Sequence, residues 1–408
     1  MTVWVNLLAG GNLLSSFQDI LSRSSIFRDR NVLSPHYIPS TLPHREKEIN
    51  AIMSAVSPAL KGEKPRSLFI YGKTGTGKTS SVKHVMEKFE EMKSEKARMC
   101  YVNCRIYNTR YRVFHKLMKD YLPEHAKLGY GLSFFYEKLL EFLQSNGIVM
   151  VIVLDEVDMV RDLDDLISTL TRANDDLKRG GVSLIGISNK LYFKEKLDPR
   201  SRSSLYETEM VFPPYTSNQL KSILEQRVKL GFSDGAVDES AVNLAAAIAA
   251  QDNGDARYAL KLILRAGEIV DEEGGGVVSE KHIIAARKSV DEDVSIEAIS
   301  TLPQHQQIVL YSIANLSMDG GRYSKLTGNT DNYLLSGEVY ENYVRDSRNF
   351  KKEPRSARWY REYLRELEML GLIATVESGK GLRGHTKLIK LVYSPTKVRS
   401  IIEKNLLE

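Results

Sequence analysis

The sequence predicts an α/β chain in three parts. A mostly parallel sheet covered by helices comes first, then an all-helical segment, then helices closed by a β-hairpin. Three observations carry this. Short apolar runs, SLFIY (67–71), RMCYV (98–102), VMVIVL (149–154), VSLIGIS (182–188) and EMVF (209–212), alternate with helical patterns. Continuous apolar strands between helices indicate a sheet buried on both faces. After the FPP punctuation at 212–214, residues 216 to about 290 read as helix alone, broken by DEEGGG (271–276). From Thr301 onward helices lead into an apolar, glycine-punctuated hairpin. The expected divisions are residues 1–215, 216–295 and 300–408.

Composition sets the outer limits. The 408 residues allow two or three domains, and 42% apolar with 27% charged residues is ordinary for a globular chain. Even the longest apolar runs, Ile148 to Leu154 among them, are far too short to span a bilayer. The first residues, MTVWVNLLAGGNLLSSF, lack a basic start and a cleavage pattern, so no signal peptide is expected. Cys100 and Cys104 are the only cysteines, which excludes a disulfide framework and a four-cysteine zinc site. A reducing cytoplasm is the expectation. Net charge is +5, and its distribution is informative. Residues 301–408 hold 17 Lys+Arg against 12 Asp+Glu, so the first 300 residues hold 40 of each. The whole positive excess lies where a polyanion would dock.

The first element with chemistry follows the first apolar run. Gly72-Lys73-Thr74-Gly75-Thr76-Gly77-Lys78-Thr79 fits G-x-x-x-x-G-K-[ST] between a predicted strand and a predicted helix. The glycines let backbone N–H groups converge on phosphate oxygens, and the helix N-terminus adds partial positive charge. Lys78 would reach the outer phosphates of ATP, and Thr79 would hold Mg2+.

VMVIVLDEVD ends a buried strand in Asp155-Glu156. Asp155 would bind Mg2+, and Glu156 would orient and deprotonate a water. The next strand ends in Asn189, an uncharged polar group able to orient the same water. KLDPRSRSSL carries Arg200 and Arg202, and GDARYALKLIL puts Arg257 in the first turn of a helix. A guanidinium can neutralise charge developing on a transferred phosphate, from its own chain or from a neighbour.

In this order the motifs resemble AAA+ ATPases: a P-loop core with a parallel sheet, then an all-helical lid. NVLSPHYIPSTLPHREKEI (31–49) and FPPYTSNQLKSILEQR (212–227) narrow the likeness. They resemble the archaeal replication initiators related to the origin-recognition complex and the cell-division-cycle-six protein. The resemblance runs from about Ile26 to the C-terminal domain. It implies that Tyr37, Ile38 and Pro39 line an adenine pocket, with Tyr215 and Arg227 on the nucleotide at the core–lid hinge. It also implies Asn189 as a sensor and Arg257 as the lid arginine sensing the γ-phosphate. An arginine finger is implied in LDPRSRSSL, where Arg200 and Arg202 both remain open.

The tail carries a second pattern. In EPRSARWYREYLRELEMLGL (353–372), successive residues turn by roughly 100° along a helix. With Arg358 at zero, Arg355 falls near roughly +60°, Arg361 near −60° and Arg365 near −20°. Tyr360, Tyr363, Leu364, Leu367 and Leu370 share the opposite face. Pro354 suits a first turn and Gly371 a C-terminal stop. Leu372 to Val376 and Lys387 to Tyr393 can pair across ESGKGLRGHT, giving a C-terminal winged-helix domain. The arginine stripe would enter a major groove of duplex DNA, with Lys380, Arg383 and Lys387 on the wing. A protein-binding winged helix is the competing reading. Arg105, Arg110, Arg112, Lys116 and Lys119 follow the second strand; the resemblance implies a DNA-touching insertion near there, but no single contact residue.

The expected function is an ATP-controlled replication initiator binding origin duplex DNA, with slow, regulatory hydrolysis. A replicative helicase and further initiator copies are its implied protein partners. A clamp-loader-like or signalling AAA+ ATPase, its winged helix mediating protein contacts, is the alternative.

Overall fold

A computed structural model describes residues 25–35, 37–127, 129–190, 197–199, 207–321, 333–377 and 387–407. The chain divides into two compact units, Met1–Ala286 and Arg287–Glu408. No helix among the described residues is long and apolar enough to cross a membrane.

In the first unit the elements run α1 (Glu46–Leu60), β1 (Ser67–Tyr71), α2 (Lys78–Glu91), β2 (Ala97–Asn103), α3 (Arg110–Tyr121), α4 (Leu132–Asn146), β3 (Val149–Asp155), α5 (Leu163–Asp176), β4 (Gly181–Ser188) and β5 (Glu207–Val211). The five strands form one parallel sheet in the order β2-β3-β4-β1-β5. Every residue of β1, β3 and β4 is buried, as unbroken apolar runs require. One face packs on α3–α5 through Phe114, Phe135 and Leu166, and the other on α1 and α2 through Ile52, Val82 and Val85. Close packing also explains Gly186 in mid-strand, since a Cβ there would sit 2.3 Å from the Phe69 ring. Register aligns Asn103 with Asp155, Asp155 with Ile187, and Tyr71 with Ser188. The loops after β1, β3 and β4 therefore leave from one edge, the carboxyl edge where open α/β sheets bind ligands.

The helical segment is α6 (Ser217–Gly231), α7 (Glu239–Asp252), α8 (Ala256–Glu272) and α9 (Glu280–Thr301). Thr216 opens α6 with a capping box closed by Gln219. Asp255 caps α8, its carboxylate accepting from the backbone N–H groups of Arg257 and Tyr258. Residues 25–34 lie on these helices. Asp271 accepts from Ser25 Oγ, the Ile26 backbone and Arg30, and the Phe27 ring meets Phe232 at 4.6 Å.

The second unit contains α10 (Gln304–Asp319), β6 (Leu334–Leu335), α11 (Ser336–Asn349), α12 (Ala357–Met369), β7 (Ile373–Glu377), β8 (Lys387–Leu391) and α13 (Pro395–Leu407). The β7–β8 hairpin forms as its sequence predicts, and β6 joins β8 as a short third strand. Ile308, Ile313, Val339, Tyr343, Leu367 and Ile389 are fully buried in its core. Two local expectations need correcting. Pro354 precedes the Ser356 N-cap, outside the first turn of α12. Leu370 is 53% exposed: its backbone is still helical, with its N–H on Glu366 O at 3.0 Å, and its place on the wheel falls at the margin of the buried face.

Candidate functional site

The loop between β1 and α2 wraps into a cradle whose tight points are glycines. Gly75 and Gly77 take positive φ, 67° and 89°, and Gly77 is the N-cap of α2. Both also lie under neighbours from the helical side. A Cβ on Gly75 would fall 1.7 Å from Asp255 Oδ1, and one on Gly77 would fall 2.6 Å from the Tyr215 hydroxyl. The start of α8 is bonded to the cradle directly: the Ala256 N–H donates to Gly75 O at 3.2 Å. Lys73 Nζ donates to Asn253 Oδ1 at 2.9 Å. Thr76 is buried, its hydroxyl donating back to Lys73 O, while Thr74 is exposed. All eight cradle positions, Gly72 to Thr79, thus form one continuous strand-to-helix turn.

Lys78 is 6% exposed. Its ammonium donates to Gly72 O (2.8 Å), Lys73 O (2.7 Å) and Asn189 Oδ1 (2.8 Å). Burial pulls its pKa down to about 8, partly opposed by Asp155, while the Arg257 charge lowers it further. The bond to Asn189 brings the end of β4 onto the cradle lysine, uniting two residues that are 111 apart in sequence.

Asp155 is 5% exposed at the end of β3. Its Oδ2 accepts from Thr79 Oγ1 (3.0 Å) and Tyr101 OH (2.6 Å), and its Oδ1 accepts from the Glu156 N–H (3.0 Å). Glu156 follows in the left-handed region at φ 52°, uncommon for a residue with a side chain. Burial holds its carboxyl above the usual range, with Arg105 opposing, Asp155 and Asp158 adding, and Arg257 opposing. Arg257 is exposed, near enough to act on both Lys78 and Glu156.

On the other side of the cradle, Tyr37 is 37% exposed, Ile38 is half-buried and Pro39 is buried. Arg227, 5% exposed, donates to Val32 O (3.1 Å) and Tyr37 O (3.3 Å) and lies 4.7 Å from the Tyr37 ring centroid. These donors anchor Val32 and Tyr37, while Arg227 Nε is buried without a hydrogen-bond partner among the described residues. Tyr215, also 5% exposed, packs on Arg45 with its hydroxyl beside Gly77.

Three side chains escaped the sequence reading. Tyr101 reads only as an alternating strand position, yet its hydroxyl clamps Asp155. Asp158 accepts from Ser188 Oγ (2.9 Å) and pairs with Lys190 (3.1 Å), tying the turn after Glu156 to the residues flanking Asn189. Arg45 is the third. The DEVD run was the available signal for Asp158, and the stretch 31–49 that carries the family resemblance contains Arg45; Tyr101 has none.

In the second unit α12 presents Arg358, Arg361 and Arg365 to solvent, while Tyr360, Leu364 and Leu367 are buried; Arg355, expected on the same helical stripe, is exposed but precedes the Ser356 N-cap. Arg365 is drawn to Glu362 at 3.3 Å; among the described residues Arg358 and Arg361 form no ion pair. The Tyr343 hydroxyl sets the start of this stripe, accepting from the Arg355 N–H at 3.0 Å with His305 Nδ1 at 2.9 Å. Lys387 is exposed at the start of β8. Lys380, Arg383, Arg200 and Arg202 lie outside the described residues. Of the basic residues after β2, Arg110 pairs with Asp165 and Lys116 with Asp120.

A P-loop, an Asp-Glu strand end, a polar sensor position and a helical lid on one parallel sheet define an AAA+ nucleotide-binding module, here followed by a winged helix. Comparison with known proteins agrees part by part. Residues 61–193 match the AAA domain family, 221–288 the Cdc6 AAA+ ATPase-type lid domain, and 297–401 the Cdc6 C-terminal winged helix domain. An ORC1-type DNA replication protein of Thermococcus kodakarensis is 40% identical over 398 residues, covering 95% of this chain and 94% of that protein. ORC1-type DNA replication protein 1 of Archaeoglobus fulgidus is 38% identical, covering 96% and 94%. The structure of the Aeropyrum pernix ORC1 protein in complex with DNA superposes with a TM-score of 0.76 at 36% identity, covering 94% of this chain and 98% of that one. The chain belongs to the ORC1-type DNA replication protein family, AAA+ ATPases that act as replication initiators. A clamp-loader-like or signalling role is not favoured, since similarity to replication proteins spans nearly the whole length.

Proposed function

We propose that this chain is an origin-binding initiator whose grip on duplex DNA is set by ATP or ADP at the core–lid junction. The observation that carries it is the bonding of the lid to the cradle: Ala256 to Gly75 and Lys73 to Asn253. A nucleotide that favours one lid position over another shifts that equilibrium by its differential affinity.

The roles follow from the donors available. The cradle N–H groups from Gly72 to Thr79 bind phosphates, and Lys78 exchanges its carbonyl and Asn189 partners for phosphate oxygens. Thr79 Oγ1 and Asp155 Oδ2, already 3.0 Å apart, suit Mg2+, which takes few protein ligands and otherwise uses phosphate and water oxygens. Bound there, Mg2+ would neutralise phosphate charge. Glu156, kept weakly acidic by burial, accepts the proton of the attacking water, and Asn189 orients that water. Arg257 meets the γ-phosphate from the lid, and Arg200 or Arg202 serves as a finger toward a neighbouring copy. Tyr37, Ile38 and Pro39 receive adenine, and Tyr215 and Arg227 contact the nucleotide at the core–lid hinge; the bond from Arg227 to Tyr37 O supports that placement. Hydrolysis is slow and resets the switch. The core, lid and winged helix divide at 1–215, 216–295 and 300–408.

Arg355, Arg358, Arg361 and Arg365 dock on duplex DNA with Lys380, Arg383 and Lys387 of the wing. That the 36% identical Aeropyrum pernix ORC1 protein has a structure in complex with DNA supports duplex DNA as the ligand; the exposed arginines of α12 support this face as the reader. Further initiator copies and a replicative helicase are the protein partners. Footprinting on genomic fragments with ATP, ADP and neither tests the reading. Discrete protected sites whose occupancy changes with nucleotide are expected; uniform or nucleotide-independent protection overturns it.

A further inference from the structure

Arg45 is 2% exposed and is among the largest fully buried side chains of the described chain. Nε donates to Thr76 O at 2.9 Å, inside the cradle. NH2 donates to Pro213 O at 2.7 Å, in the hinge that leads to the lid. NH1 reaches Glu48 Oε1 at 3.2 Å and His44 O at 3.4 Å. The guanidinium carbon lies 3.9 Å from the Tyr215 ring centroid and 5.3 Å from that of Phe212. An apolar side chain of similar volume would fill this space without the desolvation cost of a buried charge. What only a guanidinium supplies is a rigid fork of donors serving two loops at once.

The bond to Thr76 has a geometric consequence. A trans peptide points its C=O and N–H in opposite directions. Anchoring Thr76 O outward therefore turns the Gly77 N–H inward, toward the phosphates. Gly77 alone would hold this orientation poorly, since it has no Cβ and sits at φ 89°. The same cation grips Pro213 O and stacks on Tyr215, whose N–H donates to Gly254 O just before α8. Hinge and cradle thus share one anchor.

We infer that Arg45 is a positioning residue of the nucleotide site: it aims the Thr76–Gly77 peptide at the phosphates and ties that peptide to the lid hinge. This rests on the reading of the cradle as an ATP/ADP site and adds a residue to it. Arg45→Lys keeps the charge but cannot serve both carbonyls. Arg45→Gln removes the buried charge, so it folds even where the lysine variant does not. Glu48→Gln breaks only the ion pair and leaves both carbonyl bonds.

In the full-length protein, titration with ADP and with ATP is followed by calorimetry beside thermal unfolding without nucleotide. Arg45→Lys and Arg45→Gln are expected to weaken both nucleotides at least tenfold. Glu48→Gln is expected to lower the thermal midpoint yet hold affinity within twofold. In steady-state hydrolysis the Arg45 loss appears in KM, with kcat within threefold, because the oriented N–H serves bound phosphate before and during the reaction. Affinity that follows the thermal midpoint across all three variants overturns the inference, as does wild-type affinity in both Arg45 variants. Absence of nucleotide binding by the wild-type protein sinks the cradle reading itself, a distinguishable result.

Discussion

Replacing Arg358 and Arg361 together by alanine tests the basic helix quantitatively. Both side chains are exposed on α12 and, among the described residues, form no ion pair. Each is free to neutralise a phosphate. Neutralising one phosphate of B-DNA contributes about 0.9 to the slope of log K against log salt. The double variant should therefore flatten that slope by about 1.8. Raising salt from about 50 to 200 mM is a factor of about 4, so the affinity gap to wild type should shrink roughly twelvefold over that range. Fluorescence anisotropy with a labelled duplex, at several salt concentrations, reads this directly. Arg365→Ala is the internal control: its guanidinium is already engaged by Glu362, so its slope should change by clearly less than one phosphate's worth. A double variant with the wild-type slope, even at reduced affinity, would refute α12 as the phosphate-docking face.

Other perturbations separate the remaining roles. Lys78→Ala should abolish nucleotide binding by calorimetry, whereas Glu156→Gln should retain binding and lose at least about 100-fold in hydrolysis; undiminished phosphate release from the latter contradicts its assignment as base. Tyr343→Phe keeps the ring but orphans the Arg355 N–H and the His305 nitrogen, at about 2 kcal/mol. With Trp4 replaced by phenylalanine, Trp359 fluorescence should report a urea midpoint lower by about 1 M, and an unmoved midpoint rejects the network. His305 is held below its ordinary pKa by burial, then by Arg355 and Lys352. The unfolded chain therefore binds more protons between that lowered value and about 6.5. Stability of this unit should be full above about 6.5 and fall as pH drops through that window. His305→Gln should flatten the profile; parallel profiles argue against it.

The parts of the molecule legible in the sequence are those with short-range grammar. The cradle, the Asp155-Glu156 strand end, the Asp255 start of α8 and the β7–β8 hairpin follow from local patterns of glycine, acid and alternation. The wheel also sorted Arg358 and Arg361 from Tyr360 and Leu364 correctly, because one helical period governs both faces. Illegible were contacts made by register. Tyr101 meets Asp155 only because β2 and β3 pair with Asn103 beside Asp155. Arg45 meets Thr76 and Pro213, 31 and 168 positions away, and no spacing rule connects them. Leu370 differs for another reason: the wheel gives an angle, not how far the neighbouring elements reach, and a side chain at the margin of the apolar arc is left exposed. The two terminal nitrogens of Arg227 donate to the backbone of a segment almost 200 residues earlier, a contact that only the folded chain could disclose.

Residues 25–34 wrap the helical segment rather than the sheet they precede. Phe27 covers Phe232, and Asp271 is satisfied by Ser25, Ile26 and Arg30. The ATPase half is consequently a woven object, its opening residues stitched onto its closing helices. A fragment trimmed to begin at α1 would bare an aromatic surface and strand a carboxylate. Anyone dissecting this protein should cut ahead of Ser25, however tidy a later start looks on paper.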